Sequence, residues 1–234
     1  MKTAVLLVGN IRTWELCKQN FIDTFGDIDV FVSTYDLKYG YHPAIQNKFQ
    51  DFGDEIMSPN NVVEYFKGIN VKSLTIESSQ KSDEIINSEI PNLHESMRNF
   101  ASSYAQYRKF KHCIDSMIEY EDKYGVKYDR VVRTRCDMLH GSQILDPVRG
   151  NEILHNPPSI PGTEFIPDQV IVTNRDNMIE ICNFIIKEFY NPVFDDSHLH
   201  PPHGILRNAI KYLGLNKIEK DLFKGMLRKN GIVE

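Results

Sequence analysis

The sequence predicts an α/β protein with a central, mainly parallel sheet flanked by helices. Three stretches carry that prediction. "TAVLLVG" (3–9) is a continuous apolar run ending in glycine, as expected of a strand covered on both faces. "TWELCKQNFIDTF" (13–25) then spaces Trp14, Cys17, Phe21 and Phe25 at helical intervals. "IDVFVSTYD" (28–36) returns to β-branched and aromatic residues, the composition of a second strand. Strand, helix and strand with short connections make a parallel β-α-β unit, hence a layered α/β fold.

The remaining elements follow in order. Residues 37–60 are polar, aromatic and punctuated by Gly and Pro, which reads as a long loop or lid. "NVVEYFKG" (61–68) has the look of a short helix, "VKSLTIES" (71–78) of a third strand, and "KSDEIINSE" (81–89) of a short helix or polar connection. The longest helix is expected over 95–125, where Met97, Phe100, Tyr104, Tyr107, Phe110, Ile114, Met117 and Ile118 recur at three- and four-residue steps. Gly125 suits its C-cap. A strand over "YDRVVRTRCDMLH" (128–140) comes next, then a Pro-rich stretch (151–168) bracketing one possible strand, and a strand at "QVIVTN" (169–174). Amphipathic helices are expected at 175–190, 202–214 and 216–230, so the chain reads as one domain, 1–234, whose part from about 175 to 234 is helical.

Composition narrows the function. With 234 residues, 41% hydrophobic and 25% charged, the chain is of ordinary globular make-up. A net charge of -5 argues against a broad nucleic-acid face, because neutralising phosphates needs a basic excess. Cys17, Cys113, Cys136 and Cys182 are scattered without a C-x-x-C pair, which reads as free thiols in a reducing compartment such as the cytoplasm. "MKTAVLLVGNIRTW" lacks a small-residue cleavage site and is too short to span a bilayer, so it is read as a buried strand, and no other stretch reads as a transmembrane segment. Peripheral membrane contact is left to the basic 216–230 segment, where a solvated face is the simpler explanation of the charges.

Four places carry candidate chemistry. "VGNIRTW" joins the first strand to the first helix, where ligands collect beyond strand carboxyl ends and a helix N-terminus suits phosphate. Gly9, Asn10 and Arg12 are the candidates there, against the plain alternative of a turn glycine and a surface arginine. "VVRTRCD" sets Arg133, Arg135 and Asp137 at two-residue steps, which on a strand places all three on one face over roughly 13 Å. A diphosphate held by the arginines, with a divalent cation on Asp137, satisfies that face; so does an exposed edge with a local ion pair. Asp168, before "QVIVT", is a candidate base for an acceptor hydroxyl, or a turn aspartate beside Pro. "DDSHLHPPHG" brings His198, His200 and His203 with Asp195 and Asp196, a set able to help a metal yet compatible with a plain loop. Asp176 is most simply a first-turn charge. Ser103, Gln106 and Lys109 lie on the polar side of the long helix, from which they can reach the cleft, though a solvated face is the expectation for most of them.

Taken together, "GNIRTW", "DVFVSTYD", "YDRVVRTRCD" and "PDQVIVTNRDNM" resemble, in order, the motifs of GT-A-type glycosyltransferases of the bacterial surface-polysaccharide and large-virus kind. The resemblance covers roughly residues 3 to 183. It implies a Rossmann-like GT-A sheet and transfer of a sugar from a nucleotide-sugar donor to an acceptor hydroxyl, on a glycan. It further implies Mn or Mg as the metal, Gly9 and Arg12 at the nucleotide or diphosphate, Asp137 as metal ligand and Asp168 facing the acceptor. One departure stands out: Arg135-Cys136-Asp137 replaces the family's Asp-x-Asp. A lone carboxylate holds a metal weakly, so either His198, His200 or His203 helps, or Arg133 and Arg135 take over part of the metal's charge. The alternatives are a sugar nucleotidyltransferase, for which the first turn has too few glycines, and a GT-A-like binding or scaffold module without activity.

Overall fold

The computed structural model describes residues 1–11, 13–36, 56–157, 166–193 and 203–226. β1 (Thr3–Val8), β2 (Asp29–Tyr35), β3 (Val71–Glu77), β4 (Arg130–Arg135), β6 (Glu152–His155), β7 (Ile171–Asn174) and β8 (Asn216–Glu219) form a seven-stranded sheet in the order β3-β2-β1-β4-β7-β6-β8. Its pairings are parallel except β4–β7 and β6–β7. The α/β sheet read from the sequence is therefore present and mostly parallel.

The alternation along β1 explains the layering. Ala4, Leu6 and Val8 pack with Phe31 and Val131 beneath α4 (Ala101–Tyr124), α5 (Arg175–Tyr190) and α6 (His203–Tyr212). Val5 and Leu7 pack with Val30, Val32 and Val132 on the opposite side, under α1 (Trp14–Phe25) and α2 (Pro59–Tyr65). Strands covered on both faces carry apolar residues at every position, which is why β1 has no polar alternation. α3 (Ser79–Glu89) follows β3.

The order of strands reverses at β1. From β1 the chain steps outward to β2 and β3, then returns through α4 to β4 on the other side of β1. Where two crossovers part in opposite directions, a crevice opens beyond the strand carboxyl ends. Here it lies between Gly9, after β1, and Cys136, after β4, because Val8 pairs with Arg135.

Three expected elements differ. The long helix starts as a 3₁₀ turn, Glu95–Phe100, and becomes α-helical only at Ala101; Gly125 caps it in the left-handed region at φ 63°. The expected strand over 128–140 breaks at Cys136–Asp137, and β5 (Met138–His140) leaves the main sheet to pair with β9 (Phe223–Met226). Over 216–226 the expected helix is two strands instead, β8 on the edge beside β6 and β9 against β5. Ile218, Leu222 and Met226 recur every four residues, but so short an apolar run does not separate helix from strand. Pairing with β6 and β5 decides the matter, so the helical C-terminal part is broken by strands within 216–226 and no basic membrane-facing helix forms there. Among the described residues no helix is long and apolar enough to cross a membrane. The four cysteines are buried and form no disulfide.

A carboxylate ties the far end of the sheet together. Glu121 near the end of α4 accepts from Arg175 Nε at 2.9 Å and Nη2 at 2.7 Å, and from the Tyr128 N–H at 3.0 Å. It thus joins α4, the approach to β4 and the start of α5. Glu121→Ala leaves Arg175 Nε and Nη2 and the Tyr128 N–H without their acceptor, and is expected to cost about 3 kcal/mol of stability. Urea unfolding of the variant checks this; a loss below 1 kcal/mol, by the same scale, contradicts it.

Candidate functional site

The crevice edge is built from the ends of β1, β2, β3 and β4, the start of β7 and one side of α4. After β1, Gly9 turns at φ 104°, a conformation suited to glycine, and its N–H donates to the Ser33 carbonyl at 3.1 Å. Asn10 follows, half-buried, and α1 begins at Trp14. Arg12 lies outside the described residues.

Arg133 and Arg135 project toward α4, on the same side of β4 as Val131. Their fates differ. Arg133 is 1% exposed, with its guanidinium carbon 5.7 Å from the Tyr107 ring centre and 5.4 Å from that of Phe110. Its Nη2 stands 3.8 Å from Asp168 Oδ2, an ion-pair contact too long for a hydrogen bond. Its Nε and Nη2 have no hydrogen-bond partner. Arg135 instead turns onto Asp137: Nε donates to Oδ1 at 3.0 Å and Nη2 to Oδ2 at 2.8 Å. The Arg135 side chain is 19% exposed and that of Asp137 only 1%, so of the two the arginine is the group that can meet a ligand. Burial works against the Arg135 charge, and Asp137 outweighs it, holding the guanidinium protonated more firmly than usual. Because β4 ends at Arg135, Asp137 reaches this pairing from the turn rather than from the strand face expected of it.

Asp168 arrives by register. β7 runs antiparallel to β4 with Ile171 opposite Arg133, so residues before Ile171 stand beside residues after Arg133. Its buried Oδ2 accepts from Gln106 Nε2 of α4. Burial and the nearby Asp168 charge push the Tyr107 hydroxyl well above the usual phenol range.

α4 contributes more than its polar stripe suggests. Ser103 and Lys109 are buried, not solvated. Lys109 Nζ donates to the Thr34 carbonyl at 3.1 Å and to Glu77, and lies 3.7 Å from the Tyr35 ring centre. Burial brings its pKa down to about 8 against the pull of Glu77. Burial alone would raise Glu77, but Lys109 and Arg108 hold it below the ordinary carboxylate range. A sequence signal existed: Lys109 stands four and eight residues before Cys113 and Met117, both fully buried core positions.

His198 and His200 lie outside the described residues, as does the His203 side chain at the start of α6. A divalent cation needs several oxygen or nitrogen ligands together. Among the described residues no group of three or more His, Cys, Asp or Glu side chains is placed to hold one. Asp137, the carboxylate expected to do so, has both oxygens on Arg135. The described donor set does not fit a metal.

No protein-family model matches the chain, and no curated protein does. Among solved structures, the chain is similar to the PaToxG glycosyltransferase at a TM-score of 0.41 and 10% identity, covering 91% of this chain and 68% of that one. It is similar also to the apo-form glycosyltransferase GlyE of Streptococcus pneumoniae TIGR4 at a TM-score of 0.43 and 11% identity, covering 94% of this chain and 45% of that one. At TM-scores this low neither likeness bears on the chemistry.

The Lys109 environment has a pH signature. The folded chain releases the Lys109 proton near pH 8, whereas the unfolded chain keeps it to about 10.5. Between those values the unfolded state binds more protons, so this group makes stability rise with pH. The stability of the native chain relative to Lys109→Met is expected to climb by up to about 1.4 kcal/mol per pH unit in that window. Denaturant midpoints at about pH 8.5, 9.2 and 10, inside that window, test it; a flat difference refutes it.

Proposed function

We propose that this chain is a glycosyltransferase of GT-A type, moving a sugar from a nucleotide-sugar donor to an acceptor hydroxyl on a glycan, in the cytoplasm. The observation that supports this most is the convergence of Arg133, Arg135 and Asp168 at the reversal point of the sheet, beside the Gly9–Asn10 turn. Crevices of that kind receive nucleotides.

The chemistry follows from the groups. The acceptor oxygen attacks the anomeric carbon as Asp168 takes its proton, and the bond between that carbon and the diphosphate oxygen breaks. The electron pair leaves with the diphosphate. Arg135, fixed by Asp137, stabilises the growing negative charge. Gln106 and Arg133 orient Asp168 as positioning residues, since each acts through the carboxylate. Gly9 and Asn10 offer close backbone approach to the nucleotide.

One observation favours a second reading. With Asp137 closed onto Arg135 and Asp168 3% exposed, a module that binds nucleotide-sugar without turnover also suits this edge.

Release of nucleoside diphosphate from a panel of nucleotide-sugars separates the two. Asp168→Asn is expected to lower kcat by 10² to 10⁴, roughly the worth of a general base, with donor affinity retained. Arg135→Ala is expected to lower it by at least about a hundredfold. Near-native turnover in both variants rejects the proposed roles. Binding with no release by the unmodified chain favours the module.

A further inference from the structure

We infer that the diphosphate at this edge is held by Arg135 without a divalent cation, and that Asp137 serves as the clamp of that arginine rather than as a metal ligand. The inference rests on the proposed nucleotide-sugar site. It differs from the resemblance, which assigns Asp137 to Mn or Mg.

Four observations carry it. Both Asp137 oxygens accept from Arg135, at 3.0 and 2.8 Å, in the two-pronged geometry that guanidinium and carboxylate form best. Asp137 is 1% exposed, so a cation reaching it must first displace a resident guanidinium and find room for its own hydration or further ligands. Arg135 keeps its Nη1 free of partners among the described residues, and its side chain is 19% exposed. Lastly, Arg133 lies two residues away on the same side of β4 with two buried donors lacking acceptors, as a second cation behind the first.

The division of labour is chemical. A carboxylate gripping Nε and Nη2 orients the plane of the guanidinium and leaves its outer edge to donate to phosphate oxygens. Lysine offers a point charge without that plane, so it does not substitute. The reach of Asp137 back onto Arg135 also gives a reason for Arg-Cys-Asp: the first position supplies the charge, the third fixes it.

The test uses the full chain with ADP, GDP, CDP and UDP as probes. Calorimetric titration is run once with EDTA and once with Mn, and requires no variant. The expected result is one base whose diphosphate binds in EDTA within about threefold of its affinity in Mn. Arg135→Ala should weaken that metal-free binding at least tenfold, roughly the loss of a charge-assisted hydrogen bond, with no rescue by Arg135→Lys. Electron paramagnetic resonance of Mn without nucleotide should show the same free-ion signal with the native chain and with Asp137→Asn. Binding that appears with Mn and vanishes in EDTA overturns the inference while sparing the proposed function. Loss of free Mn to the native chain but not to Asp137→Asn overturns it as well. No binding of any diphosphate in either condition overturns both.

Discussion

Arg133 lies beneath α4 between Tyr107 and Phe110, and the arrangement of the carboxyl edge depends on keeping that buried cation compensated. A guanidinium out of water is costly unless opposed by negative charge. Asp168 opposes it, and Asp168 is there because β7 runs antiparallel to β4. Gln106 then holds Asp168 from the helix side. One buried charge thus ties together a strand end, a loop from a later strand and a face of the longest helix.

The same requirement recurs along the edge with different partners. Arg135 is answered by Asp137 within a single turn, and Lys109 by Glu77 across to β3. Each cation is therefore held at a strand end, where the parallel sheet leaves its crevice. Two donors of Arg133 remain without acceptors, and a buried donor left so is expensive.

Away from the crevice the charges do structural work. Glu121 with Arg175, and Asp29 with Lys2, Lys72 and Tyr128, stitch the opposite end of the sheet. These contacts anchor the strands at the end opposite to the one that bears Arg133 and Arg135.

By itself the sequence determined the elements whose burial is complete or strongly periodic. β1 and β2 are apolar along their length, α4 repeats its Tyr, Phe and Met at helical steps, and Gly125 ends it; local propensity and burial agree at each of these places. It also singled out Arg133, Arg135, Asp137 and Asp168, because charge inside an apolar strand or beside one has few ordinary explanations. Only tertiary structure decided which of these charges face one another. Asp137 belongs to Arg135 because the strand ends before it, and Asp168 meets Arg133 through a register set by an antiparallel neighbour. The partners of Lys109 were hidden for the same reason: Glu77 and Thr34 come from β3 and β2, far from α4 in the chain. The segment 216–226 shows the limit most plainly. Its four-residue apolar spacing suits a helix, yet the free edges of β6 and β5 take it as strands, since a short segment follows whichever backbone partner the fold offers it.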